Sequence, residues 1–285
     1  MNEAQHRTVL GMSGGKDSSA LAIFMKEKEP DLDIEYFFTD TGKELPEVYE
    51  FLDKIQATYG IKVNYLVPDT GKSNDSPFDY YHKIHNYFLP SFRARWCTVN
   101  LKLRPFEKWI KPTLDQGGSI TSLVAIRSDE NREGYRPTNE RVKVRFPFIE
   151  YGIDKQGVRN ILERAGLGMP SYYKWRSRSG CTFCFYQQKI EWVNLKEKYP
   201  DKFDEAKSYE KLAKDHESPF TWVEGESLEE LEKPERVNKI KQDFSKKKKK
   251  DLEKKKFHPI LGKLEDYDDE FMESDVSHSC IICHK

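Results

Sequence analysis

Apolar residues recur along this chain in short blocks separated by amphipathic stretches. Residues 7–12 are a compact apolar run and predict a first strand; residues 16–28, with Leu21, Ile23, Phe24 and Met25, predict a helix. Ile34 to Phe38 predict a second strand, Leu45 to Tyr59 a helix and Ile61 to Val67 a third strand. Ser119 to Ile126, carrying Ile120, Leu123, Val124 and Ile126, predict a further buried strand. Strands alternating with helices predict an α/β fold, a doubly wound, mostly parallel sheet covered on both faces. Ligands of such sheets sit beyond the C-terminal strand ends. The loops after the first and second strands fall there.

Pro68, Gly71, Asn74 and Pro77 mark residues 68–77 as a loop. Asp154 to Ala165 predict a helix closed by Gly166 and Gly168, and Lys189 to Lys214 an amphipathic helical stretch broken at Pro200. Beyond about residue 216 the composition turns to Glu, then Lys, then Asp. The expected organisation is a main domain over 1–216 and a charged, helical, Cys-bearing extension over 217–285.

Composition narrows the classes. The chain has 285 residues, 34% of them charged, with zero formal net charge. No apolar run approaches a membrane span, and the N-terminal residues lack the apolar core of a leader. Four of the five Cys fall in C-x-x-C pairs, which argues for metal or redox chemistry in a reducing, cytoplasmic setting. Residues 236–256 carry eleven Lys or Arg against three acids, and residues 264–275 carry seven acids and no Lys or Arg. Such a run is a solvated helix face or a nucleic-acid contact.

The densest chemistry lies at Val9 to Leu21. An apolar run ends in Ser13-Gly14-Gly15, and Lys16, Asp17, Ser18 and Ser19 open a helix pattern. Glycines let the backbone approach an anion, and the amides and dipole of a helix start favour negative charge. The spacing matches neither the Walker A loop nor the dinucleotide fingerprint. After the second strand, Asp40 and Thr41 stand where ribose or adenine hydrogen bonds would be accepted, or where a helix is capped. Arg93, Arg95 and Lys102 form a cationic group able to bind an anionic substrate. Cys97 among them is a sulfur carrier, a metal ligand or a small buried side chain. Arg127 and Arg132 follow a buried strand and suit phosphate or leaving-group charge, or a surface ion-pair cluster. Cys181 and Cys184, with Cys280 and Cys283, make a tetrathiolate site plausible for Zn²⁺ or an iron–sulfur cluster; a redox-active tail pair is the other reading.

The string Ser-Gly-Gly-Lys-Asp-Ser resembles the pyrophosphate loop of the ATP pyrophosphatase and phosphoadenosine-phosphosulfate (PAPS) reductase superfamily. Blocks that continue the resemblance are Asp40-Thr41-Gly42 to Glu47, Arg95-Trp96-Cys97-Thr98 with Leu101-Lys102 and Pro105, and Ala125-Ile126-Arg127 to Glu130. Ser179 to Trp192 close it, so the likeness runs from about residue 7 to residue 193. It implies an adenine nucleotide α-hydrolase-like fold. It also implies ATP with Mg²⁺ held through Ser13, Gly14, Gly15, Lys16, Asp17 and Ser18, adenosine placed by Asp40 and Thr41, and cleavage between the α and β phosphates. Classical reductases carry a Glu-Cys-Gly tail; here the tail is Ser279-Cys280-Ile281-Ile282-Cys283-His284-Lys285.

Gln187 to Trp192, Phe220 to Leu231 and that tail look more like the ATP pyrophosphatases of bacterial DNA phosphorothioation and phage-defence systems, of the Ssp and Dnd types. This likeness implies transfer of sulfur from a cysteine desulfurase to DNA alongside other phosphorothioation proteins. Lys16, Asp17, Cys97, Arg127 and Arg132 would do the chemistry, and a Zn²⁺ or [4Fe–4S] group would sit on the four Cys. A thiol-dependent PAPS or adenylyl-sulfate reductase, or a non-catalytic nucleic-acid-binding scaffold, are the alternatives.

Overall fold

The computed structural model describes residues 5–256 apart from 133, 135, 136 and 219, with the side chains of 251–256 also left out. Five strands, β1 (His6–Gly11), β2 (Ile34–Thr39), β3 (Val63–Leu66), β4 (Ser119–Leu123) and β5 (Val142–Arg145), form one sheet in the order β3-β2-β1-β4-β5. Every neighbouring pair is parallel. The central strand β1 pairs Val9 with Glu35 on one side and with Ser122 on the other.

Helices alternate with these strands: α1 (Lys16–Lys28), α2 (Pro46–Tyr59), α3 (Pro77–Ile84), the short α4 (Trp96–Thr98) and α5 (Arg104–Asp115). After the sheet come α6 (Pro147–Glu150), α7 (Lys155–Arg164), α8 (Lys189–Lys198), α9 (Pro200–Asp215), α10 (Leu228–Leu231) and α11 (Pro234–Lys256). A strand sends successive side chains to opposite faces, and the core divides accordingly. Val9, Phe37, Ile120 and Val142 meet Phe106 and Ile110 of α5 on one face. Leu10, Tyr36, Phe38 and Leu123 join Leu21, Val48 and Ile161 on the other. This is the doubly wound arrangement the alternation predicts.

The boundaries differ where pairing decides them. The strand expected over Ser119–Ile126 ends at Leu123, because its neighbour β1 leaves the sheet after Gly11. The strand expected over Ile61–Val67 is limited to Val63–Leu66 by its pairing with Tyr36 to Thr39. The helix expected over Asp154–Ala165 begins at Lys155, with Asp154 as its N-cap accepting from Gly157 N at 2.8 Å. Pro200 does break the long C-terminal helical stretch, into α8 and α9.

Between residues 222 and 240 the chain returns to the main core. Trp222, Leu228, Leu231 and Ile240 are all buried in it. The half-exposed chain between α9 and α10 is pinned by Glu210, whose carboxylate accepts from Trp222 N at 2.9 Å and Leu228 N at 2.7 Å. Residues 257–285, including Cys280, Cys283 and the acidic run, lie outside the described residues.

Candidate active site

β1 delivers the chain into its loop at the sheet's topological switch point, where β2 lies on one side and β4 on the other. Ligands of open parallel sheets collect at that crevice. Gly14 adopts φ +66°, and a Cβ there would stand 2.6 Å from Val48 Cγ1. A Cβ on Gly15 would stand 2.6 Å from Ser179 Oγ and 3.1 Å from Ser13 Oγ. Both positions therefore need glycine, for conformation at the first and for space at both. Gly15 is the N-cap of α1 and has no side chain to cap that end; of the first-turn amides, Lys16 N meets Tyr173 Oη at 3.3 Å. The helix start, with its partial positive charge, is left for an anion. Ser13 and Ser18 converge there: their hydroxyls are 3.0 Å apart, and Ser18 Oγ accepts from Ser13 N at 3.1 Å.

Behind the loop is a buried ionic cluster. Lys16 is fully buried, with Nζ 4.7 Å from the Tyr173 ring centre and 3.6 Å from Asp17 Oδ2. Arg127 donates to Asp17 Oδ1 at 3.1 Å and also meets Asp129 and Glu130, each at 3.0 Å. Arg132 donates to Glu130 at 2.8 Å. Ions this deep need partners, because desolvating them costs several kcal/mol each. Asp17 supplies one carboxylate to both cations, which fixes Lys16 beside the loop.

Residues 171–184 form the opposite wall, of which sequence reasoning singled out only the block from Ser179 to Cys184. Tyr172 donates to Gly14 O at 2.7 Å, and Lys16 N donates to Tyr173 Oη at 3.3 Å. Ser179 donates to Ser13 Oγ at 3.2 Å. The wall is held from behind by Glu191, buried at the start of α8, which accepts from Ser177 N at 2.6 Å and Gln188 N at 2.8 Å. Arg176 is fully buried and donates from Nη2 to Cys181 O at 2.5 Å; its Nε and Nη1 have no partner among the described residues. The only signal in the sequence for this wall was the Ser-Gly-Cys-Thr-Phe-Cys block itself.

Glu44 and Cys181 meet as an isolated antiparallel bridge, and Thr182 N donates to Lys43 O at 2.6 Å. The Thr41 hydroxyl donates to Glu44 Oε1 at 3.0 Å and lies 3.3 Å from Cys181 Sγ, which is 3.7 Å from the same carboxylate. Burial pushes the Cys181 thiol well above its ordinary range; the Glu44 charge adds to this and Lys102 opposes it. Burial also raises Glu44, against Lys102, Thr41 and Arg176. Lys102 comes from a π-helical turn, Val99–Leu103, between α4 and α5. Single π turns often mark functional positions.

Met12, Ser13, Phe38, Thr39, Lys102 and Ser179 line the crevice between these walls. Its free volume is 20 Å³, room for about one water. Of the residues singled out from sequence, Ser13 to Ser18, Thr41, Lys102, Arg127 and Cys181 gather around this crevice. Asp40 folds onto its own turn, accepting from Gly42 N at 2.8 Å and Tyr49 Oη at 2.7 Å. Arg93 is exposed and Arg95 half-buried on the loop before α4. Cys97 is half-buried and packs against the main core.

A Zn²⁺ or iron–sulfur site needs more donors than Cys181 and Cys184. Among the described residues no group of three or more His, Cys, Asp or Glu side chains is arranged to hold a metal. Cys280 and Cys283 fall outside them, so the donor set here does not by itself fit such a group. Asp17 is engaged by two cations, which suits an anchor for Lys16 better than a Mg²⁺ ligand. No described helix is long and apolar enough to cross a membrane.

Fold and site together define a parallel α/β protein with a glycine loop and helix start at its switch point and a thiol across the crevice. The chain belongs to the phosphoadenosine phosphosulfate reductase domain family, whose description matches residues 7–149, about half of the sequence. Among curated relatives, an uncharacterized protein of Methanocaldococcus jannaschii is 26% identical over 201 residues, 67% of this chain. The tRNA-specific 2-thiouridylase of Lactococcus lactis is 25% identical over 215 residues, 65% of this chain. The chain spans only 39% and 54% of the lengths of these two proteins. Among solved structures, the PAPS reductase of Candida auris in its phosphate complex is similar with a TM-score of 0.48 and 14% identity, over 61% of this chain and 81% of that one.

Proposed function

We propose that this protein is an ATP pyrophosphatase that activates a nucleic-acid phosphate for sulfur insertion, as in DNA phosphorothioation. The observation that carries the reading is the glycine-capped start of α1, with Ser13 and Ser18 converging on it and Lys16 fixed behind it by Asp17. That arrangement suits the β and γ phosphates of ATP, with Mg²⁺ arriving on the nucleotide. The thiouridylase relative supports a link to sulfur transfer.

In this reaction a non-bridging oxygen of the phosphodiester attacks the α-phosphorus of ATP. The bond to the β-phosphate breaks, and pyrophosphate leaves with its electron pair. The loop amides, Lys16 and Arg127 stabilise the charge that grows on the leaving group, the main task in phosphoryl-type transfer. A persulfide from a cysteine desulfurase then attacks the activated phosphorus and displaces AMP. A thiol, for which Cys97 and Cys181 are candidates, cleaves the resulting S–S bond, leaving a phosphorothioate and a disulfide.

The test is incubation of the pure protein with ATP and Mg²⁺, with and without DNA, reading AMP and pyrophosphate. Formation of both, lost in Lys16→Ala, supports the proposal. No AMP from wild type, with sulfite released from PAPS in the presence of thioredoxin, replaces it with the reductase reading.

A further inference from the structure

The loop before α4 carries an aromatic and cationic ridge that the chemistry above does not use. Residues 91–94 form a tight turn, with Ser91 N donating to Ala94 O at 3.1 Å and Ala94 N to Ser91 O at 3.2 Å. Its base is anchored by Trp96 Nε1, which donates to Phe88 O at 2.9 Å. The turn lifts Phe92 and Arg93 to its tip. Phe92 stays 46% exposed although it packs edge-on against Tyr186, with centroids 4.8 Å apart, and Phe185, 5.2 Å away. The Arg178 guanidinium lies 4.6 Å from the centre of the Tyr186 ring and that of Arg95 5.8 Å. An exposed aromatic ring thus has Arg93 beside it in the chain, and Arg95 and Arg178 on the Tyr186 ring it packs against.

The ridge also borders the crevice. Arg178 precedes Ser179, so their α-carbons are about 3.8 Å apart, and Ser179 touches the phosphate loop. The ridge and the crevice wall thus share one short segment of chain.

We infer that this ridge is a docking surface for an unpaired stretch of nucleic acid, one base stacking on Phe92 and adjoining phosphates meeting Arg93, Arg95 and Arg178. Arginine forks suit phosphates, and an exposed ring takes any base by its π-face. The bases of an intact duplex are already stacked and cannot reach a protruding ring. A protein partner docking through Phe92 would have to cover three guanidiniums, so charge favours the polyanion. The inference rests on the nucleic-acid acceptor reading and narrows it to single strands or locally opened sites.

The test measures binding of the full chain, without ATP, to a labelled single strand longer than the roughly 4–16 nucleotides such sites span, and to its duplex. The ratio of the two affinities is the readout, because the lysines of α11 would attract both forms. Wild type should prefer the single strand. Phe92→Ala should lose about tenfold on it and abolish the preference, whereas Phe92→Trp should keep it. Arg178→Gln should lower the salt slope by about one. Unfolding midpoints would show that the variants are folded.

No preference in wild type, or an unchanged ratio in Phe92→Ala, overturns the inference. Loss of a co-purifying protein in Phe92→Ala with that ratio unchanged reassigns the ridge to protein contact. AMP and pyrophosphate formation by wild type is measured separately, so failure here is distinguishable from failure of the ATP reading.

Discussion

Arg127 reaches from the chain beyond β4 to Asp17 in the first turn of α1, Nη1 to Oδ1 at 3.1 Å, with both side chains buried. This bond ties the two sides of the topological switch point together. Asp17→Asn would leave Lys16 and Arg127 without their shared carboxylate. Breaking a buried pair costs about 3–5 kcal/mol; Asp129 and Glu130 still serve Arg127, so the lower end is expected. Urea unfolding would check this, and AMP formation should fall with it if Lys16 loses its place.

Gly14→Ala faces two penalties. Its backbone is left-handed, and the new methyl would meet Val48 Cγ1 at 2.6 Å and Val48 O at 3.2 Å. Strain of this kind costs about 1–3 kcal/mol. The same measurement should show it, together with weaker nucleotide binding by calorimetry. Val48→Ala in the same chain should recover part of the loss, since it removes the nearest atom.

His82 gives the fold a pH dependence. It is buried against Phe78 and Trp96, and burial holds it at about 4, although Tyr87 O and Asp79 favour the charged form. A histidine depressed in the folded state contributes stability that is full above its unfolded value, near 6.5. That contribution is lost as pH falls toward 4. Allowing for partial solvation, the loss is about 2 kcal/mol. Unfolding curves between pH 7 and about 4.5 should show it, and His82→Gln should flatten the slope.

Glu226 fastens α11. It meets Lys189 at 2.7 Å and a close Arg236 pair, and these hold its carboxyl at about 2. Its contribution is present above the ordinary carboxylate value and is lost as pH falls through about 2. The partners are partly exposed, so Glu226→Gln should cost about 1 kcal/mol. Hydrogen exchange should quicken along α11 while the sheet stays protected.

Lys16 tests the wall of residues 171–184. Tyr173→Leu removes the ring 4.7 Å from its ammonium, and Tyr173→Phe keeps the ring but removes the hydroxyl that accepts from Lys16 N. Pyrophosphate release should fall severalfold more in the first, a difference of about 1 kcal/mol for a desolvated cation–π contact. Equal rates in the two variants would show that the ring does not help place Lys16.

Much of the fold was legible in the chain, but unevenly. β1, α1, β2 and α2 follow from runs and periodicity that neighbouring residues carry. β5 was not legible: Val142-Lys143-Val144-Arg145 is short and becomes a strand only by pairing with β4. α5 was hidden by Pro105 and Pro112, although Phe106, Ile110 and Leu114 keep a helical spacing. Lys102 was seen as a cation, but only the π-helical turn shows that it faces the crevice.

By itself the sequence determined the glycine loop before α1, because a glycine turn, a helix start and the residues beside it are consecutive and need no distant partner. It also determined the alternating strands and helices, whose periods are local steric properties of the backbone. Tertiary structure alone decided that Cys181 stands beside Thr41 and Glu44, that Tyr172, Tyr173 and Ser179 close over the loop, and that Phe92 meets Tyr186. Those partners are separated by many tens of residues. Packing between layers brings them together, and no local pattern of polar and apolar positions encodes which distant side chains will touch.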